Sequence, residues 1–213
     1  MNIKLKLLLL SLSASLLFGC SSRSTYDIIT PKNVKTTSIK TSHKNDACKM
    51  FKENPDWLAA TSKTYQKWGL PISTQLSFVY HESSFVYNAR PLAKRSSGYI
   101  FGKKYASSAL GFSQALNGAW GDYISEQKPK NASRMNFGDS VDFMGWYNSK
   151  SFKQLKIKNT DAYNLYLAYH EGRTGWKKGY HKKQGWLMNY AKKVQNKSNV
   201  YSKQINDCNL RLK

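Results

Sequence analysis

A mainly α-helical fold is predicted by three observations. Apolar residues recur at spacings of three and four over several stretches, the period of one helix face. Strand signals, meaning strict alternation in β-branched and aromatic runs, are few. Aromatics are plentiful, with 14 Tyr, 9 Phe and 6 Trp in 213 residues, and 40% of the chain is hydrophobic. One core can therefore be filled, and disorder of the whole chain is excluded. No internal repeat is visible.

The first element is a leader. Lys4 and Lys6 precede an apolar run, Leu7 to Leu10, Leu12 and Leu16 to Phe18, which is too short to span a bilayer and ends at Gly19-Cys20. The pattern resembles a bacterial lipoprotein signal over residues 1–19, with cleavage before Cys20 and lipid carried on that Cys. Ser21, where retention in the inner membrane goes with Asp, implies an outer-membrane lipoprotein facing the periplasm of a double-membraned bacterium. The alternative is an ordinary secretory signal with an incidental Cys. Residues 20–44 are polar, rich in Ser, Thr and Lys, and read as a flexible tether. Residues 45–213 form the globular domain. In an oxidising compartment the remaining cysteines, Cys48 and Cys208, read as one disulfide tying the start of the domain to its last turn.

Pro55-Asp56-Trp57 starts a helix whose stripe is Trp57, Leu58, Thr61, Tyr65 and Trp68, and Gly69 ends it. Pro71 and Ser73 start the next, with Ser73 as its cap. After Phe85 comes a long irregular insert, residues 86–108, basic and glycine-broken, which reads as a loop or as a loop with a short strand pair at Tyr99 to Phe101. Gly118 to Tyr123 continues into a helix, and Lys128 to Arg134 is a basic turn. Asp139 or Ser140 caps a helix through Val141, Phe143, Met144 and Tyr147. Thr160 or Asp161 opens another, with Tyr163, Leu165, Tyr166, Leu167, Ala168 and Tyr169, stopped by Gly172. The last runs from Trp186 to Tyr201, with Leu187, Tyr190, Val194 and Val200 on one face.

The chemistry points to the helix after Pro71. Glu82 sits inside an apolar stripe that includes Leu76, Phe78, Val79, Tyr80, Phe85 and Val86. A carboxylate there is costly. Burial and a helix C-terminus both raise its pKa, and a carboxyl group held protonated near neutral pH is a general acid. The bland alternative is a Glu at the stripe edge with its head in water. His81 and His170 offer no metal-ligand spacing with the scattered cysteines, so neither a metal nor another cofactor is expected.

Three motifs in order, Glu82-Ser83-Ser84-Phe85, Ala109-Leu110-Gly111-Phe112-Ser113-Gln114 and Ala168-Tyr169-His170-Glu171-Gly172, resemble the E-S-x-F, G-A-x-G-L-M-Q and A-Y-N-A-G motifs of soluble-lytic-transglycosylase (SLT) domains. Ser108, Phe112, Ser113, His170 and Glu171 depart from that pattern. The resemblance covers about residues 70–175 and implies a lysozyme-like (goose-type/SLT) helical domain. It implies cleavage of the MurNAc-β-1,4-GlcNAc bond of peptidoglycan without water, leaving 1,6-anhydro-MurNAc ends. Glu82 would be the acid and then the base, Tyr169 would orient it, and Gln114, Ser108 and Phe112 would line the sugar groove. The insert implies an altered groove shape.

The formal net charge of +22 favours anionic partners: nucleic acid, anionic lipid or an acidic wall polymer. No nucleic-acid module is present, and a lipid anchor argues against that partner. The expected partners are peptidoglycan glycan strands and, through Cys20, the membrane, for a monomer. Two other readings stay open. One is an inactive peptidoglycan-binding scaffold. The other is a hydrolytic muramidase with Glu171 as second carboxylate, although Glu171 also reads as a charged helix end beside Arg173.

Overall fold

The structure, a computed structural model, describes residues 43–92 and 105–208. The leader, Cys20, most of the tether and the strand pair expected at Tyr99 to Phe101 lie outside the described residues. Seven helices are present among those described: α1 (Ala47–Glu53), α2 (Pro55–Trp68), α3 (Ile72–Ser83), α4 (Asn117–Gln127), α5 (Phe137–Leu155), α6 (Ala162–Lys177) and α7 (Gly185–Asp207). A single 3-10 turn, Tyr180–Lys183, joins the last two. The chain is mainly helical, as predicted.

α3 is the central helix. It packs most extensively on α7, while α2 packs on α5 and α6 on α7. Every residue from Ser73 to Val79 is buried. Because α3 is enclosed, its polar side chains bond inward rather than to water. Gln75 Nε2 donates to the carbonyls of Thr61 (3.0 Å) and Leu70 (2.7 Å). Ser77 Oγ donates to the Val194 carbonyl at 2.7 Å, and the Thr74 and Ser198 hydroxyls lie 3.1 Å apart. These bonds fix the register of α3 against α2 and α7.

The helix ends follow local chemistry, with three departures from the expected signals. α2 begins at Pro55 and ends at Gly69 in the left-handed region (φ 77°). α3 has Pro71 at its N-cap and no side-chain cap. Ser73 is not the cap. It is buried within the first turn, its Oγ 3.4 Å from that of Ser198. α5 is capped by Asn136, whose side chain accepts from the Asp139 N–H at 3.0 Å, not by Asp139 or Ser140. α6 is capped by Asp161. Gly172 does interrupt it (φ 74°, ψ 157°), but helix resumes on the far side to Lys177. On α7 the buried positions are Leu187, Ala191, Val194, Ser198 and Tyr201. Val200 is 48% exposed and does not belong to that face.

Cys48 and Cys208 form the disulfide, 160 residues apart in sequence. The surrounding contacts share the task of joining α1 to α7. Gln204 accepts from the Ala47 N–H (2.9 Å) and donates to the Asn45 carbonyl (2.9 Å), and the Tyr201 hydroxyl donates to the Lys44 carbonyl. Closing so long a loop removes much freedom from the unfolded chain. Replacing both cysteines by Ser is therefore expected to lower the unfolding free energy by roughly 2–5 kcal/mol. Urea melts of oxidised protein read this as a lower midpoint; a reductant should reproduce the loss in the unaltered protein and leave the double variant unchanged.

Candidate active site

Glu82 lies in the last turn of α3, one residue before its end. The chain then takes an abrupt course. Ser84 (φ 51°) and Phe85 (φ 60°) are successive left-handed residues without a glycine, a conformation unfavourable for a bulky side chain. Packing holds it in place. The Phe85 ring is fully buried and stacked on Trp57, centroids 5.8 Å apart. The Ser84 N–H bonds back to the Tyr80 carbonyl at 3.0 Å. The turn thus drops Phe85 into the core and leaves Glu82 at the helix end.

The second motif is built onto the same Trp57. Phe112 meets Trp57 edge-on at 5.5 Å and is 3% exposed, so its side chain is core and does not face a groove as expected. An apolar residue between two small ones cannot reveal from sequence which way it points. Gly111 is required by contact. A Cβ added there would lie 1.9 Å from the Arg134 carbonyl oxygen, on a backbone at φ 76°. Gln114, also left-handed (φ 49°), donates through Nε2 to the carbonyls of Ala89 and Gly111, both at 2.8 Å, and so braces this turn against the chain after α3. Ser108 Oγ accepts from the Asn117 N–H at 3.1 Å, capping α4 from a distance.

The third motif closes the site. The Tyr169 hydroxyl donates to the Ser113 carbonyl at 2.7 Å, linking α6 to the second motif. Its ring packs edge-on against Phe78, one turn before Glu82, and against Tyr147 (5.5 and 5.2 Å). Two further tyrosines reach Glu82. Tyr166 is its hydrogen-bonding neighbour, and Tyr190, which donates to the His81 carbonyl at 2.9 Å, feels its charge. Tyr166 was legible in principle: it precedes Tyr169 by three residues and shares its helix face. Tyr190 comes from a helix distant in sequence, and no local signal marks it.

Electrostatics follow from burial. Loss of water raises the Glu82 carboxyl from 4.5 to about 7, against the downward pull of the Tyr166 hydrogen bond. Burial, then the charge of Glu82, pushes Tyr166, Tyr169 and Tyr190 upward, so all three remain hydroxyl donors. Burial lowers His81, whose Nδ1 lies 2.8 Å from the Ser77 carbonyl. Glu171 has partners on both oxygens: His170 Nδ1 at 3.0 Å and Gln184 Nε2 at 3.1 Å. Among the described residues no cluster of His, Cys, Asp and Glu could hold a metal ion. The arrangement is one proton-donating carboxyl walled by aromatic rings and neutral hydroxyls.

A model of the transglycosylase SLT domain matches residues 8–208. No curated protein and no solved structure matches the chain.

Two outcomes are expected. Gly111→Ala should destabilise the fold by about 3 kcal/mol or more, because a backbone carbonyl cannot yield as a side chain can; a denaturant melt reads this. Glu82→Gln should stabilise the protein at pH 8 by up to about 3 kcal/mol and change little at pH 4. Between 4.5 and about 7 the native state keeps a proton that the unfolded chain has lost, so wild-type stability falls as pH rises through that window. Melts of both proteins across pH measure the difference.

Proposed function

The chain belongs to the transglycosylase SLT domain family, and from that premise we propose that it is a peptidoglycan lytic transglycosylase with Glu82 as its single catalytic carboxyl group. The observation that carries this reading is a carboxyl at the end of α3 raised by burial to about 7, with no second carboxylate acting on it among the described residues. A two-carboxylate glycosidase needs the second group to hold water or to attack the sugar. A lytic transglycosylase needs neither, because its nucleophile belongs to the substrate.

In this reading Glu82, protonated, gives its proton to the oxygen joining MurNAc C1 to GlcNAc C4. The C1–O bond breaks with that oxygen taking the electron pair, and positive charge spreads over C1 and the ring oxygen. The MurNAc 6-hydroxyl then bonds to C1 and passes its proton to the Glu82 carboxylate. The enzyme is restored, and the product carries a 1,6-anhydro end. Tyr166 stabilises the carboxylate stage by its hydrogen bond. Tyr169, held by the Ser113 carbonyl, presents an oriented hydroxyl and ring to the acetamido side of the sugar. Gln114 and Ser108 support the groove by bracing its backbone. The two engaged oxygens of Glu171 favour this reading over hydrolysis with Glu171 as base.

The anchoring is part of the same proposal. Cys20 would carry lipid, residues 20–44 would span from the outer membrane, and the domain, as a monomer, would face the periplasm. The net charge of +22 suits an anionic wall polymer and an anionic membrane surface.

Purified peptidoglycan incubated with the protein should release anhydro-muramyl fragments by mass spectrometry, and Glu82→Gln should lower the rate at least about a thousandfold. Products one water heavier would overturn the transglycosylase assignment in favour of a muramidase. Binding without products would favour a scaffold. Because the acid must be protonated, activity should fall as pH rises above about 7. Tyr166→Phe should move that limb to higher pH, since the lost hydrogen bond favoured the anion.

A further inference from the structure

Helices α6 and α7 run antiparallel, and their facing side chains pair as rungs. Tyr163 N–H bonds to Gln195 Oε1 at 3.1 Å. One turn on, the rings of Tyr166 and Tyr190 meet at 5.7 Å, both beside Glu82. The next rung is His170 with Trp186, 5.4 Å apart with ring planes at 77°. Four residues on along each helix, at about 1.5 Å per residue, this rung lies about 6 Å farther along the α6–α7 seam. Unlike the rung at Glu82, it is open. Trp186 is 60% exposed, whereas Trp57, Trp120 and Trp146 are buried and Trp68 and Trp176 partly so.

Single exposed apolar residues are ordinary on protein surfaces. Trp186 differs in being framed. His170 stands edge-on to it, and Glu171 holds His170 through Oε1 at 3.0 Å. The other oxygen of Glu171 accepts from Gln184, the residue immediately before α7, at 3.1 Å. The Glu171 side chain is only 10% exposed. The clamp therefore fixes both the imidazole and the first turn of α7, and the indole is placed before any ligand arrives. A flat aromatic face with a neighbouring polar edge suits a pyranose ring, which has an apolar C–H face and a rim of hydroxyl and amide groups.

We propose that Trp186 and His170 form a saccharide subsite one helical turn along the α6–α7 seam from the Tyr166–Tyr190 pair beside Glu82, stacking an N-acetylhexosamine ring of the glycan strand on the indole, with Glu171 as its positioning residue. This rests on the reading of Glu82 as the glycan-cleaving group. The subsite binds substrate equally in ground and transition states, so it acts on KM more than on kcat.

The test uses the full chain in detergent and a peptide-free GlcNAc–MurNAc tetrasaccharide. In the Glu82→Gln background, which holds glycan without turnover, calorimetry gives the Kd. N-bromosuccinimide oxidation followed by peptide mass spectrometry then reports the exposure of Trp186. Saturating tetrasaccharide should slow Trp186 oxidation at least about fivefold. Trp186→Ala should weaken binding about tenfold and Trp186→Phe about threefold. In the otherwise unaltered enzyme Trp186→Ala should raise KM with kcat within about twofold. Oxidation at an unchanged rate under saturation, or tight binding by Trp186→Ala, would overturn the subsite. If the tetrasaccharide is bound and cleaved while Trp186 stays unprotected, the subsite falls and the catalytic reading stands. If it is neither bound nor cleaved, both fall.

Discussion

The partial withdrawal of one carboxyl group from water governs this molecule. Glu82 is half-buried at the end of a helix packed among its neighbours, and the water its carboxyl loses there moves its proton affinity toward neutrality. Enclosure also dictates what surrounds it. A lysine or arginine beside Glu82 would favour the anion and undo the shift. The chain has 34 Lys and Arg, yet among the described residues none acts on Glu82 strongly enough to offset its burial. Tyrosines take that place: Tyr166 turns its hydroxyl to the carboxyl, Tyr169 and Tyr190 donate theirs to the Ser113 and His81 carbonyls, and none carries charge at neutral pH. The burial that makes the acid also requires Gln75, Ser77 and Thr74 to find partners on α2 and α7.

Assembly of the three motifs rests on aromatic packing. Trp57 stacks on Phe137 at 3.8 Å and receives Phe85 and Phe112. Through those rings it joins the end of α3 to the Gly111 turn, two segments separated by the long insert. The Gly111 turn in turn offers the Ser113 carbonyl to Tyr169. A helix belonging to none of the motifs therefore sets the distance between them.

Legibility in the sequence followed the range of each interaction. α2 declared itself through Pro55 and Gly69, both local, whereas Tyr65, expected on its apolar stripe, is 48% exposed. The pairing of Cys48 with Cys208 followed from there being only two cysteines beyond Cys20. Asn136 was missed as a cap because Asp139 and Ser140, three and four residues on, are equally good capping types. Phe112 was misplaced because burial on the Trp57 face is a tertiary fact. Tyr190 was unreadable as a site residue for the same reason, since it reaches Glu82 only once α7 lies antiparallel to α6. The Gly172 break was legible; the resumption of helix beyond it was not, because chain direction after a left-handed glycine depends on what α6 packs against.

The bond between Cys48 and Cys208 also has a mechanical meaning. It joins the first described helix to the last turn of α7. A pull on the chain ahead of α1 enters the fold at Cys48 and passes at once into the end of α7, whose other end bears Trp186 and Tyr190. α1 cannot be peeled away alone, and load reaches the rest of the fold along the axis of its longest helix. A protein tugged from that end while gripping a polymer under tension would lengthen last where its two ends are stitched together.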